Sequence, residues 1–259
     1  MKKQNSLNIE GKSLLNRRSF PLFALPIIFI LISLFIFTIV PVKATPSGAT
    51  ILGNITATAS TTTPGNRSDA GGTITTLTLN TLQQDANWKA YVGNISGTLT
   101  LDDASGATIY QWALETADIT GEVYVSRSAA VEWTELNCSD DNNITSEQTV
   151  LGFATTGVDN INRTFNYTTH AAITVAGRTI TQNTCRSTAT YVADAAQPIA
   201  TADFQEVLLA SQADVVYMTA INQGTASYSV GNTVDFQLIV PDDVTTASTR
   251  YYFYIEIGS

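Results

Sequence analysis

Two cysteines, one histidine and a scatter of asparagines and acids are the residues on which chemistry could rest. Cys138 and Cys185 both sit beside polar stretches. In an exported chain that placement favours one disulfide closing a loop of about 47 residues, worth about 3–4 kcal/mol in the chain-entropy account. The competing readings are two buried thiols or pairing across chains. A metal centre is disfavoured, because His170 has no company of close ligands and no second histidine exists. His170 also lacks a recognisable Ser or Cys and Asp partner that would make it a general base, so a surface or edge-strand position is expected for it.

Seven Asn-X-Ser/Thr triplets occur, at Asn54, Asn66, Asn94, Asn137, Asn143, Asn162 and Asn166, none with Pro in the middle. A single triplet is weak evidence, but export makes them candidate N-glycosylation sites. The acidic pairs Asp102-Asp103, Asp140-Asp141 and Asp242-Asp243 do not follow the alternating ligand pattern of a calcium loop and read as solvated turns. Glu132 and Glu135 offer two carboxylates, yet glycosidase roles need a spacing in space that sequence does not supply. The expectation is therefore no catalytic residue, no cofactor and no metal, and not an enzyme.

The elements that must position these residues begin with an export device. Lys2, Lys3, Lys12, Arg17 and Arg18 precede an apolar run from Phe20 to Val40, followed by Pro41-Val42-Lys43-Ala44. Basic, apolar and small-residue regions in that order make residues 1–44 a secretory signal cleaved after Ala44, or a retained membrane anchor, since 21 apolar-rich positions suffice to cross a bilayer. Type IV pilin precursors, cut before such a stretch, are a third mode. The charge bias sends the body outside in either of the first two cases. Contact with a membrane is through residues 20–40 if they stay uncleaved.

Six of the 13 Lys and Arg and one of the 22 Asp and Glu lie before Thr45, leaving the remaining 215 residues with a formal net charge of −14. Such a surface disfavours nucleic acid and anionic lipid as partners. Thr, Ser, Gly, Ala and Val dominate the body, and one core, or two small ones, can be buried at this length.

Residues 45–71 read as an N-terminal strand, Ala49 to Ala59, and a flexible linker. Residues 72–259 read as a β-sandwich-like extracellular domain. Within it Tyr91, Gly93, Ile95, Gly97, Leu99 and Leu101 alternate toward a core, leaving Asn94 on the solvent side. Asp102 to Gly106 forms a turn, and Thr108 to Leu114 returns as the partner strand. Trp112 and Trp133, each in a strand with apolar neighbours of the same parity, are expected in the core. Residues 137–149 read as an exposed loop. Strands are expected at 150–154, 161–168, 171–175, 188–192, within 206–221, and at 225–230, 233–240 and 250–257, with Gly231-Asn232 as a two-residue hairpin. The fold class is all-β, an antiparallel β-sandwich with room for elaboration.

The stretch Trp88 to Leu114, WKAYVGNISGTLTLDDASGATIYQWAL, with Gly71-Gly72 ahead of it, resembles a segment of exported archaeal cell-surface or filament-associated β proteins of poorly defined function. The likeness covers about a tenth of the chain and implies no catalytic residues to carry over. A few archaeal filament subunits donate an N-terminal strand to a neighbour, and Ala49 to Ala59 is similar to that donor. An apolar-alternating strand ahead of a flexible linker suits strand addition, and suits completion of its own sheet as well. The expected function is an exported cell-surface structural protein, an envelope or filament subunit whose partners are other copies of itself or envelope proteins. The alternative is a carbohydrate- or protein-binding module, with a secreted hydrolase behind both.

Overall fold

The computed structural model describes residues 45–60, 63–114, 119–245 and 248–258; the signal or anchor read at 1–44 lies outside them. Among the described residues no helix is long and apolar enough to cross a membrane. Fifteen strands follow one another in this part of the chain. They are β1 (Ser47–Gly48), β2 (Trp88–Gly93), β3 (Leu99–Asp102), β4 (Thr108–Trp112), β5 (Thr120–Ser126), β6 (Asn137–Cys138), β7 (Ile173–Val175) and β8 (Arg178–Ile180). The rest are β9 (Ser187–Ala189), β10 (Gln205–Ser211), β11 (Asp214–Ala220), β12 (Thr225–Ala226), β13 (Thr233–Val234), β14 (Phe236–Pro241) and β15 (Tyr252–Gly258). Two helices intervene, α1 (Asp141–Val150) and the single turn α2 (Ile161–Thr164).

The architecture is all-β, largely antiparallel and divided among several sheets. The largest runs β1-β15-β5-β11-β10-β6, with β9 also on β10. Its centre is apolar on both faces. Val123, Val125, Leu208, Val215 and Tyr217 join one core, which also takes Leu238 and Val240 of β14, Ile144 of α1 and Phe165 beside α2. Tyr124, Val207, Leu209, Val216 and Met218 join the other, beneath Ile173, Val175 and Ile180 of the β7–β8 hairpin. Strands buried on both sides carry near-continuous apolar runs instead of clean alternation. The stretch 206–221 is strand as expected, but as two strands joined at Gln212-Ala213, with Gln212 in the left-handed region.

Several expectations are corrected. Residues 141–150 form a helix where a loop was expected. Asp140 and Asn143 make a reciprocal capping box, each side chain accepting the other's backbone N–H, which nucleates the helix without an apolar stripe. The helix buries Ile144, Glu147 and Gln148, and Glu147 forms a two-pronged ion pair with Arg127. Residues 150–154 leave the helix as a turn and 161–164 make α2, so neither is a strand. Between β12 and β13 lie six residues, so Gly231-Asn232 is the end of a longer loop and not a two-residue turn.

The stretch 91–101 keeps its predicted parity only as far as Leu99, since Leu101, expected to face the core, is 54% exposed, and it does not keep its continuity. Gly93 and Ile95 point inward and Asn94 outward, yet β2 stops at Gly93. Asp235 ends it. Its Oδ2 accepts the Ile95 N–H at 2.7 Å and its Oδ1 accepts the Gly224 N–H at 3.0 Å, which diverts the chain off the β14 ladder.

Candidate interaction surfaces

The expected strand at 49–59 forms only in its approach. Ser47 and Gly48 pair with Ile255 and Tyr254 on the outer edge of β15, and the Ala49 N–H adds a bond to the Phe253 carbonyl at 2.8 Å. After that the chain leaves the sheet. Among the described residues between 51 and 87 none belongs to a strand or a helix. The bonds made inside this arm are local, the Arg67–Asp69 ion pair and Thr73 Oγ1 to the Ala70 carbonyl. Its large apolar side chains are in solvent: Ile55, Ile74, Leu79 and Leu82 are all 85% exposed or more. Residues 73–84, TITTLTLNTLQQ, carry no charge at all. Thr-rich, apolar and uncharged is the composition of a strand, here without a sheet.

The arm ends at a fixed point. Asn87 donates through Nδ2 to Asp159 at 2.7 Å, Trp88 Nε1 donates to the Asp159 carbonyl at 2.7 Å, and the Trp88 ring meets Phe153 edge-on. From there β2 pairs along its whole length with β14, and with no other strand among the described residues. β14 is sealed on its opposite edge, because the Ile239 N–H donates to the buried Glu206 carboxyl of β10 at 2.9 Å. Among the described residues the second edge of β2 has no strand partner.

Along that open edge the core is thinly covered. Tyr91 stands edge-on to Phe253 with ring centroids 4.9 Å apart, and Phe253, Ile255 and Ile257 of β15 are only partly buried. Farther along, a groove of about 400 Å³ opens, walled by Ser47 and Gly48 on one side and Gly97 and Thr98 on the other, with Ile255 and Ile257 as its floor. At Gly97 the chain runs close to Ile257, and a Cβ there would push the tip of the Ile257 side chain aside. An open strand edge beside an apolar floor is a template for a further strand.

The β3–β4 hairpin is the second exposed surface. The turn at Asp102–Gly106 forms as expected. Asp103 Oδ1 accepts the N–H groups of Ser105 and Ala107, and the Ser105 hydroxyl and these amides hold its carboxyl below the ordinary range. Leu99 faces Trp112 and Leu101 faces Tyr110 across the ladder. Trp112 is 47% exposed and Tyr110 58% exposed, their rings edge-on at 4.9 Å, so the core position expected for Trp112 is corrected. The hairpin touches too little of the body to cover its apolar face. Trp133 does pack inward, edge-on between Tyr124 and Tyr254.

Cys138 and Cys185 form a disulfide, S–S 2.00 Å. It ties edge strand β6 to the segment leading into β9. His170, expected at the surface, is 3% exposed and braces this link. Its Nε2 accepts the N–H groups of Cys185 and Thr184 at 2.8 and 3.0 Å, and its Nδ1 lies 2.6 Å from the Ala171 carbonyl. Two backbone donors on Nε2 place the ring proton on Nδ1.

Of the seven triplets, Asn54 and Asn66 lie on the arm, Asn94 just past β2, and Asn137, Asn162 and Asn166 on the body, all six exposed. Asn143 is different. Its amide nitrogen donates to the Gln212 carbonyl at 2.9 Å while its oxygen caps α1. Glu132 precedes and Glu135 ends the single turn Trp133–Glu135, and both side chains are exposed. Asp242, against burial, is held below the ordinary carboxylate range by Thr249 and Lys89. Among the described residues no cluster of His, Cys, Asp and Glu could hold a metal ion.

Sequence reasoning missed the open edge of β2 and the groove, because both are defined by what does not pair with them. The signal that was available is the uncharged TITTLTLNTLQQ run, a strand-former with no strand partner inside its own domain. Comparison of the chain with known protein families, with characterised proteins and with solved structures finds no match.

Proposed function

We propose that this chain is an exported structural protein of the cell surface, an envelope or filament subunit that associates with copies of itself. The observation that carries this reading is the arm at 51–87, whose strand-forming apolar residues stand in solvent. Monomeric proteins rarely expose so much apolar chain without a partner for it. A disulfide suits an oxidising compartment. The acidic body and the six exposed asparagine triplets suit an outer, glycosylated surface. The fold is read as a β-sandwich whose second layer is the β2–β14 ribbon over the main sheet, one strand short. No catalytic role is assigned to any residue.

A second reading has its own observation. The exposed Tyr110–Trp112 pair is the kind of aromatic platform on which a sugar ring stacks, which favours a carbohydrate- or protein-binding module.

Intact mass and N-terminal sequencing of protein recovered from its native envelope, before and after deglycosylation, test the first reading. A chain starting at Thr45, carrying glycan and sedimenting as a multimer is the expected result. A monomer that remains in the cell contradicts it. Retention on a polysaccharide column, lost in Trp112→Ala, would favour the second reading.

A further inference from the structure

We infer that residues 73–82 of one copy pair as a strand with the open edge of β2 in a second copy, setting Leu77 and Leu79 over the half-covered Tyr91, Phe253 and Ile255. This rests on the self-association proposed above and names the two surfaces that meet.

The donor and the receptor are described by separate observations. Leu77 and Leu79 share one parity in an uncharged run, with Thr75 and Thr81 on the same side, and Leu79 is almost fully in solvent. An added strand in that register turns both leucines toward one face and Thr76, Thr78 and Asn80 toward the other, with Ile74 and Leu82 at its two ends also on that outer face. The receiving edge has the same polarity. Tyr91 and Gly93 of β2 face the core, while Ala90 and Val92 face solvent. Main-chain bonds to β2 supply affinity, and the apolar floor selects which side of the donor faces in. Gly97, where the chain runs tight against Ile257, continues the slot beyond the end of β2 without a side chain to block it.

The occupant is a second copy because the single chain leaves both donor and receptor unpaired. Residues 47–49 are already spent on the edge of β15, so the first part of the arm is held at one sheet edge. Asn87 is fixed by Asp159 where the arm departs. In the single chain, residues 73–82 form no strand, and β2 pairs with β14 alone among the described residues. A neighbour supplies the missing strand without requiring the Asn87 turn to be remade, and every copy offers both a donor and a receptor. Such head-to-tail contacts propagate into open arrays when they do not close.

The test uses the mature chain in two versions of different mass, one with Thr78→Cys and the other with Val92→Cys or Ala90→Cys. Both native cysteines are already bonded to each other, so the added thiols are the free ones. Thr78, Val92 and Ala90 all lie on the exposed side, and an intact Cys138–Cys185 bond by mass confirms that each version is folded. Under mild oxidation the expected product is the mixed dimer of the two versions, lost when Leu77→Asp and Leu79→Asp are added to the first. Association that persists with no mixed disulfide at β2, and instead with one to Gln111→Cys on the hairpin, overturns this contact and leaves self-association standing. A chain carrying Thr78→Cys and Val92→Cys together that closes only on itself as a monomer overturns it in favour of a hairpin within one copy. Absence of any association overturns both this inference and the reading beneath it.

Discussion

Glu206 interrupts an apolar strand and holds two layers together. Its Oε2 accepts the Ile239 N–H of β14, while Oε1 is buried with no partner. Burial pushes its pKa well above the ordinary value of 4.5, and the Ile239 N–H only partly opposes this. The folded chain therefore keeps a proton that the unfolded chain releases. Stability from this proton is complete below about pH 4.5 and is lost as the pH climbs toward the folded value. Glu206→Gln removes the titration and keeps the size. Thermal melts of the two proteins from acid to mildly alkaline pH should show the variant gaining on the wild type as pH rises. A gap between them that does not change with pH would contradict the assignment.

The residue scale also shows where sequence reading stops. The disulfide was legible because the sequence holds two cysteines, each beside a polar stretch, and no set of metal ligands near them. His170 was not, since the two amides that it accepts, at Thr184 and Cys185, are brought to it by the fold. Trp112 shares its parity with apolar neighbours in the sequence, but Asp235 breaks the strand before the hairpin, and the predicted core face swings into solvent with it.

At the scale of elements, the pairing of β5 with β15 depends on one backbone position. Gly121 has φ +126°, and a Cβ there would lie 2.0 Å from the Glu256 carbonyl oxygen. Gly121 pairs with Ile257, so the strand carrying the floor of the groove is held through this contact. Gly121→Ala forces either a strained backbone or a displaced β15, and a loss of at least about 2 kcal/mol is expected in denaturant unfolding. Gly224→Ala, also at positive φ but with open space around its Cβ position, is the comparison, and should lose less. Equal losses would show that crowding against Glu256 is unimportant.

Element types were legible where one face of a strand is buried and obscure where the burial is polar or two-sided. Helix α1 buries Glu147 and Gln148 beside a single isoleucine, so no apolar period announces it. Its signature is the Asp140–Asn143 cap, which in an Asn- and Asp-rich stretch looks the same as a turn. β10 and β11 are apolar on successive residues because cores lie on both sides of them, which hid the turn between them.

At the scale of the molecule, an acidic body carries an arm whose run 73–84 is uncharged, and the proposed assembly gives the two different tasks. In that proposal like-charged surfaces keep copies apart, and a short apolar strand draws them together at one place. Burying two leucines at such a contact is worth about 3–6 kcal/mol before the cost of ordering the arm, enough for each contact to be reversible and for many to be durable. Strand content was legible from the sequence, while the incomplete sheet emerged only from which edges have no partner among the described residues.

Sedimentation velocity of the mature chain against a Leu77→Asp, Leu79→Asp variant, over a wide range of concentration, tests the account most directly. Concentration-dependent multimers that collapse to monomer in the variant, with an unchanged melting temperature for the monomer, are the predicted result. A wild-type chain that stays monomeric at every concentration, or multimers indifferent to the two substitutions, would contradict it.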